Sequence, residues 1–128
     1  MNSVENKALE KAREAMQNSY SPYSKLKVGA AMICEDGRIF SGANIENSSY
    51  GLTICAERSA LACAVSAGAR KFQTLVLVSD SDKIITPCGA CLQALSEFAE
   101  DLKIICLNKG GEVQQSTLKK LLPKSFRL

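Results

Sequence analysis

The sequence contains no histidine, so any metal centre it builds must draw on sulfur and oxygen ligands rather than imidazole. Aromatic residues are sparse, with four Phe and three Tyr in 128 residues, too few for a platform on which successive bases of a nucleic-acid strand could stack. There is no block of like charge either. The 16 Lys and Arg and the 13 Asp and Glu are scattered along the chain, and nothing in the charge calls for nucleic acid as a partner. No apolar run approaches the roughly 20 residues that cross a bilayer, and the polar opening MNSVENKALEKAREAM lacks the apolar stretch of a secretory signal. These absences predict a cytoplasmic protein with neither a targeting nor a membrane segment. Repeats, low-complexity tracts and linkers are missing as well. At 46% hydrophobic residues, the chain has the length and composition of one globular domain over 1–128 with a sizeable core.

What the sequence does have is six cysteines. Without a secretory signal these point to metal binding, catalysis or burial rather than to a disulfide framework. Cys34 and Cys106 lie in the apolar runs AAMIC and KIICL, and Cys63 in the Ala-rich SALACAVSA. All three read as small buried hydrophobes. Cys55, Cys88 and Cys91 have different neighbours and need another account.

Helix and strand signals alternate at the short spacing of a compact α/β domain. A helix is predicted from Val4 to about Asn18, with Val4, Ala8, Leu9, Ala12 and Met16 on one stripe, and SYSPYSK breaks it. KVGAAMIC and IFSGANI read as two strands of a hairpin across the Asp-Gly turn of EDGR. The polar ENSSYGLTI reads as a functional loop. CAERSALACAVSAG follows as a helix ending at Gly68, and FQTLVLVS as a strand buried on both faces. PCGACLQALSEF opens a helix running to about Glu100, with Cys88, Cys91, Leu92, Leu95 and Phe98 on its inner stripe. KIICLN is a buried strand, EVQQ a short edge strand, and STLKKLLP a last short helix behind a Ser or Thr cap. The expected architecture is a central sheet of about five strands with helices on its faces.

Cys55 and Cys88 occupy matching positions, each at the start of a helix. If the two units lie side by side, Cys55, Cys88 and Cys91 converge where helix dipoles lower thiol pKa values and favour metal-binding thiolates. Three thiolates and one open position describe a catalytic zinc, whereas a structural site would want a fourth protein ligand. Glu57 stands two residues after Cys55. A carboxylate in a first helical turn ordinarily does no more than favour the helix dipole. Combined with the cysteines, however, C-A-E and P-C-x-x-C over Cys55, Glu57, Pro87, Cys88 and Cys91 take the zinc deaminase form, in which the Glu is the general acid and base and not a ligand.

With these motifs and the blocks SPYSKLKVGAA, GANIENSSYGLTICAERSA and LLPKSF, nearly the whole chain resembles the cytidine deaminase family in its small, all-cysteine, homotetrameric branch. The resemblance implies a three-layer α/β/α fold around a mixed sheet. It also implies one Zn2+ per subunit on Cys55, Cys88 and Cys91, and hydrolysis of cytidine and deoxycytidine to uridine and deoxyuridine with release of ammonia, a step of pyrimidine salvage. Glu57 would shuttle the proton, a task that needs a raised pKa. Arg58 would offset the excess negative charge of three thiolates by donating to sulfur. Asn44 and Glu46 of NIEN would meet the ribose hydroxyls, and Leu26 and Ala56 would join the substrate-binding set. Tyr50 and Phe126 match positions that line a neighbouring subunit's site, so that active sites are shared in the homotetramer, and Phe126 could stack on the base.

Two positions depart from the family pattern. Leu26 stands where Phe is usual, and Leu92 where Arg commonly follows the second P-C-x-x-C cysteine. Together they predict weaker substrate affinity rather than lost activity. Two other readings compete. One is a thioredoxin-like thiol redox protein on C-G-A-C, which leaves Cys55 and Glu57 unexplained. The other is a deaminase of another aminated nucleoside of the blasticidin type.

Overall fold

A computed structural model describes residues 1–128. In chain order the elements are α1 (Ser3–Gln17), β1 (Val28–Cys34), β2 (Ile39–Ala43), a single 3-10 turn (Tyr50–Leu52), α2 (Ala56–Ser66), β3 (Phe72–Ser79), α3 (Gly89–Ser96), β4 (Lys103–Leu107), β5 (Val113–Thr117) and α4 (Leu118–Leu121). The five strands form one mixed sheet in the order β2-β1-β3-β4-β5. β3 and β4 pair in parallel across α3, and the other neighbours are antiparallel. The expected five-stranded α/β architecture is the one observed.

The period-two alternation of strands sorts the core into two layers. Val28, Ala30 and Met32 of β1, Leu75 and Leu77 of β3, and Ile104 and Cys106 of β4 face α2, α3 and α4. Ala31 and Ile33, Val76 and Val78, and Ile105 and Leu107 face Ala8, Leu9 and Ala12 of α1. The result is three layers, α/β/α. Two glycines let the helices come this close. A Cβ on Gly29 would lie 2.0 Å from the Ala12 carbonyl oxygen of α1, and one on Gly42 would lie 2.5 Å from the Ala60 amide of α2. No side chain fits at either place.

Three details differ from the sequence reading. In α1, Val4 is 43% exposed and Glu5 is buried in its place. Asn2 caps this helix, its side chain and that of Glu5 forming a reciprocal capping box, and Glu5 then reaches Lys103 of β4 at 2.7 Å. α3 ends at Ser96 instead of about Glu100, because Phe98 turns off the helix to meet Phe72 edge-on, with ring centroids 6.1 Å apart. Cys63 is exposed on α2, whereas Cys34 and Cys106 are buried as expected. The outward Cys63 falls between the helix positions that Leu61 and Ala64 commit to the core. No helix is long and apolar enough to cross a membrane.

Candidate metal centre and active site

Cys55 is the N-cap of α2 and Cys88 the N-cap of α3. The Cys88 sulfur accepts the Cys91 backbone amide at 3.5 Å, so this thiol takes the place that Ser or Asp fills at most helix starts. α2 and α3 lie on the same face of the sheet, and their starts bring the three thiols together. Cys55 Sγ is 3.9 Å from Cys88 Sγ, Cys88 Sγ is 3.4 Å from Cys91 Sγ, and all three sulfurs fall within 4.8 Å of one another. Sulfurs at the corners of a zinc tetrahedron, each about 2.3 Å from the metal, stand about 3.8 Å apart. The trio fits that spacing and fits no disulfide. It holds one Zn2+ per subunit. A third thiol at this distance also removes the motive for reading C-G-A-C as a redox pair.

The electrostatics agree with a metal-binding cluster. Cys55 is pulled down to about 5, first by the hydrogen bond from the Cys91 thiol and then by Arg58. Cys91 is pushed up as the donor in that bond and by burial. Arg58 Nη2 lies 3.9 Å from the Cys55 sulfur, and the thiols raise its own pKa in return. Its Nε is the one buried side-chain nitrogen or oxygen without a partner. Cys106 stays a thiol, pushed up to about 11 by burial and by the charge of Glu57, and Cys34 is raised by burial as well. Both are buried in strands and stand apart from the three clustered sulfurs, so neither competes for the metal.

Cys55, Ala56, Glu57 and Cys88 line one pocket of about 310 Å3 together with Leu26, Asn44 and Glu46. Cys91 is buried beneath. Glu57 is only 4% exposed, and desolvation, reinforced by the charge of Cys55, raises its pKa. That is the direction a proton shuttle needs. Asn44 is buried, and most of its amide is in use. Oδ1 accepts from the Val28 amide at 3.0 Å and from the Ser19 hydroxyl, and Nδ2 donates to the Leu26 carbonyl at 2.8 Å. One Nδ2 hydrogen remains for the pocket. Glu46 is held by the chain before β1, accepting from the amides of Tyr23 at 2.9 Å and Ser24 at 3.1 Å and from the Ser24 hydroxyl. These bonds, the Ser24 hydroxyl first, lower its pKa and keep it a carboxylate.

Tyr50 and Phe126 do not enter this chain's pocket. Tyr50 is 76% exposed and meets Tyr23 edge-on at 6.0 Å, and Phe126 is 68% exposed. Leu92 packs in the core between α3 and its neighbours. Arg58 is therefore the only cationic side chain bonded to a thiol. The pocket is completed by Ser24, Val28, Thr53, Ile54, Leu77, Ile85 and Thr86. Sequence reading named none of these individually, although Thr53 and Ile54 end the ENSSYGLTI stretch read as a functional loop, Ser24 and Val28 lie inside the quoted SPYSKLKVGAA block and Thr86 directly precedes Pro87.

Residues 2–107 match the family model described as the cytidine and deoxycytidylate deaminase zinc-binding region. The chain is 44% identical over 121 residues to a cytidine deaminase of Sporosarcina psychrophila, covering 94% of this chain and 89% of that protein. It is also 44% identical over 119 residues to a cytidine deaminase of Halalkalibacterium halodurans, covering 92% and 90%. The crystal structure of cytidine deaminase from Burkholderia pseudomallei superposes with a TM-score of 0.91 at 40% identity, covering 98% of this chain and all of the other. Three thiols at two helix starts, a buried carboxylate beside them and this likeness in sequence and fold lead to one conclusion: the chain belongs to the cytidine and deoxycytidylate deaminase family.

Proposed function

We propose that this chain, as one catalytic domain over 1–128, hydrolyses cytidine and deoxycytidine: water adds at C4 of the pyrimidine, the C4–N4 bond breaks, and uridine or deoxyuridine leaves with ammonia. The observation that carries this reading is that Glu57, Cys55 and Cys88 share one pocket, with Glu57 buried and its pKa raised. Bound at Cys55, Cys88 and Cys91, zinc supplies the activation of water by lowering its pKa towards roughly 7. Glu57 takes a proton from the attacking water and passes it to N3 of the ring; it then takes the remaining proton from the hydroxyl formed at C4 and delivers it to the amine, so that ammonia departs as the C4 carbonyl forms. Arg58 offsets the surplus charge of three sulfurs. Asn44 and Glu46 receive the ribose hydroxyls, and Leu26 and Ala56 border the base. A nucleoside, not a strand, is the substrate.

The working unit is a homotetramer in which Tyr50 and Phe126 of one subunit border the pocket of the next. A set of exposed apolar side chains from the chain before β1 and the loop after β2 supports this reading. Tyr20, Tyr23, Ile45, Tyr50, Leu52 and Ile54 are all exposed; Tyr20 and Ile54 each bridge to Ile45, and Tyr23 meets Tyr50 edge-on. Patches of this kind mark interfaces. The reaction serves pyrimidine salvage in the cytoplasm. The test is the ultraviolet absorbance of cytidine with the zinc-loaded protein beside Glu57→Gln. The wild type converts the substrate, and the variant keeps its zinc but loses activity by roughly a hundredfold or more. Inert wild type with zinc bound overturns the reading, and a fully active variant overturns the role of Glu57.

A further inference from the structure

The segment after α4 is held to α3 at two successive residues. The Gln93 side-chain amide bonds Phe126 in both directions: Nε2 donates to the Phe126 carbonyl at 2.8 Å and Oε1 accepts from the Phe126 amide at 3.1 Å. The Arg127 guanidinium donates to the Ser96 carbonyl and, at 3.3 Å, to that of Ala99. The Ser96 carbonyl is one that the end of α3 leaves unpaired within the helix. The four bonds fix Phe126 and Arg127 against α3 and the turn that follows it, and Phe126 remains 68% exposed.

An amide that satisfies both the N–H and the C=O of one residue fixes that residue's backbone and leaves its side chain free. Holding a tail in this way costs conformational entropy, and within this chain the exposed ring gains nothing in return. Gln93 lies two residues after Cys91, on the helix whose first turn carries two of the three thiols. The position of the ring is thus set from the metal-binding helix, although the ring stands outside this chain's own pocket.

We propose that Gln93 is a positioning residue: by gripping the Phe126 backbone it sets where the Phe126 ring stands, and so the affinity for nucleoside in the neighbouring subunit's pocket. This rests on the shared-pocket reading above. Without the grip the tail frays, and the ring spends less time where it borders the substrate. Binding weakens, while proton transfer at Glu57 in saturated enzyme is unaffected. KM rises and kcat holds, the pattern of lost uniform binding.

The experiment compares kcat, KM and zinc content for cytidine in wild type, Gln93→Met, Phe126→Ala and the double variant. Gln93→Met keeps the length of the side chain and removes the amide. It raises KM roughly 3- to 10-fold, the range expected for lost hydrogen bonds, with kcat and zinc content unchanged. Phe126→Ala raises KM at least as much, and the double variant is no worse than Phe126→Ala alone. Gln93→Glu, which keeps the acceptor and sets a charge against the Phe126 carbonyl, gives the same KM rise and serves if Gln93→Met does not fold. If Phe126→Ala raises KM while the Gln93 variants do not, the role of Gln93 is wrong and the shared pocket stands. If Phe126→Ala leaves KM unchanged, the shared-pocket reading fails and this inference with it. A fall in kcat or zinc at constant KM, or additive effects in the double variant, also overturns it.

Discussion

The sulfur of Cys55 lies 3.9 Å from that of Cys88, 33 residues further along the chain, and each cysteine stands at the N-cap position of a different helix. A metal bound there ties α2 to α3. Removing it with a chelator should lower the melting temperature by roughly 10–15 °C, the effect of losing a ligand held at about a thousand times its dissociation constant. Calorimetry with and without chelator checks this. Cys55→Ala should lose the metal and show no further change on chelation.

Leu26 lines the pocket and packs half-buried against the core, so a larger side chain has both a surface to rest on and a substrate to meet. Leu26→Phe should lower KM for cytidine about 3- to 10-fold through an aromatic contact with the base. Steady-state kinetics beside wild type decide it, and an unchanged KM counts against any role for this position in affinity.

Gly42 admits α2 to the sheet. A Cβ there would meet the Ala60 amide at 2.5 Å and the Ser59 Cβ at 2.6 Å, and the backbone obstacle cannot rotate away. Gly42→Ala should destabilise by roughly 3 kcal/mol and, because α2 carries Glu57 and begins at Cys55, should weaken zinc binding as well. Urea denaturation and metal titration measure the two effects. Gly110→Ala, where the new Cβ would lie 3.7 Å from Asn108 Oδ1, is the matched control.

Lys103 holds the carboxyl of Glu5 below the usual carboxylate range, the Asn2 amide adding to the effect while burial opposes it. The folded state therefore sheds this proton more readily than the unfolded chain. Its contribution to stability is complete above about pH 4.3, the unfolded value, and fades as the pH falls from there through the lower folded pKa. Lys103→Met should be less stable at pH 7 by about 1–2 kcal/mol, a modest figure because the Lys103 side chain is 41% exposed. That deficit should shrink below pH 4. Thermal melts from pH 7 to pH 3 test both halves.

The parts of this molecule that were legible in its sequence are those whose signal is local. β1, β3 and β4 announce themselves as apolar runs, and the hairpin turn before β2 by Asp36-Gly37. The three metal-binding cysteines and Glu57 stand at helix starts marked by their spacing. Long-range packing decided the rest. Nothing near Glu5 signals that Lys103, 98 residues on, would draw it inward in place of Val4. Nothing near Phe98 signals that Phe72 would end α3 early. The pocket residues Thr53, Ile54, Ile85 and Thr86 come from loops, and only the fold brings those loops together. The amide of Asn44 reads as a free ligand in sequence, but in the structure it is largely engaged by Val28, Leu26 and Ser19.

The Glu5–Lys103 pair also bears on how the chain folds as it leaves the ribosome. α1 emerges first and has β1, β2 and β3 to rest on long before β4 exists, yet its inward carboxylate has no partner until Lys103 follows. β4 in turn joins β3 through the one parallel strand pairing in the sheet, and that crossover is α3, which brings Cys88 and Cys91 to Cys55. Non-local closures of this kind form late. The nascent N-terminal helix is therefore locked at the same stage as the zinc pocket is assembled, so a half-made chain has neither.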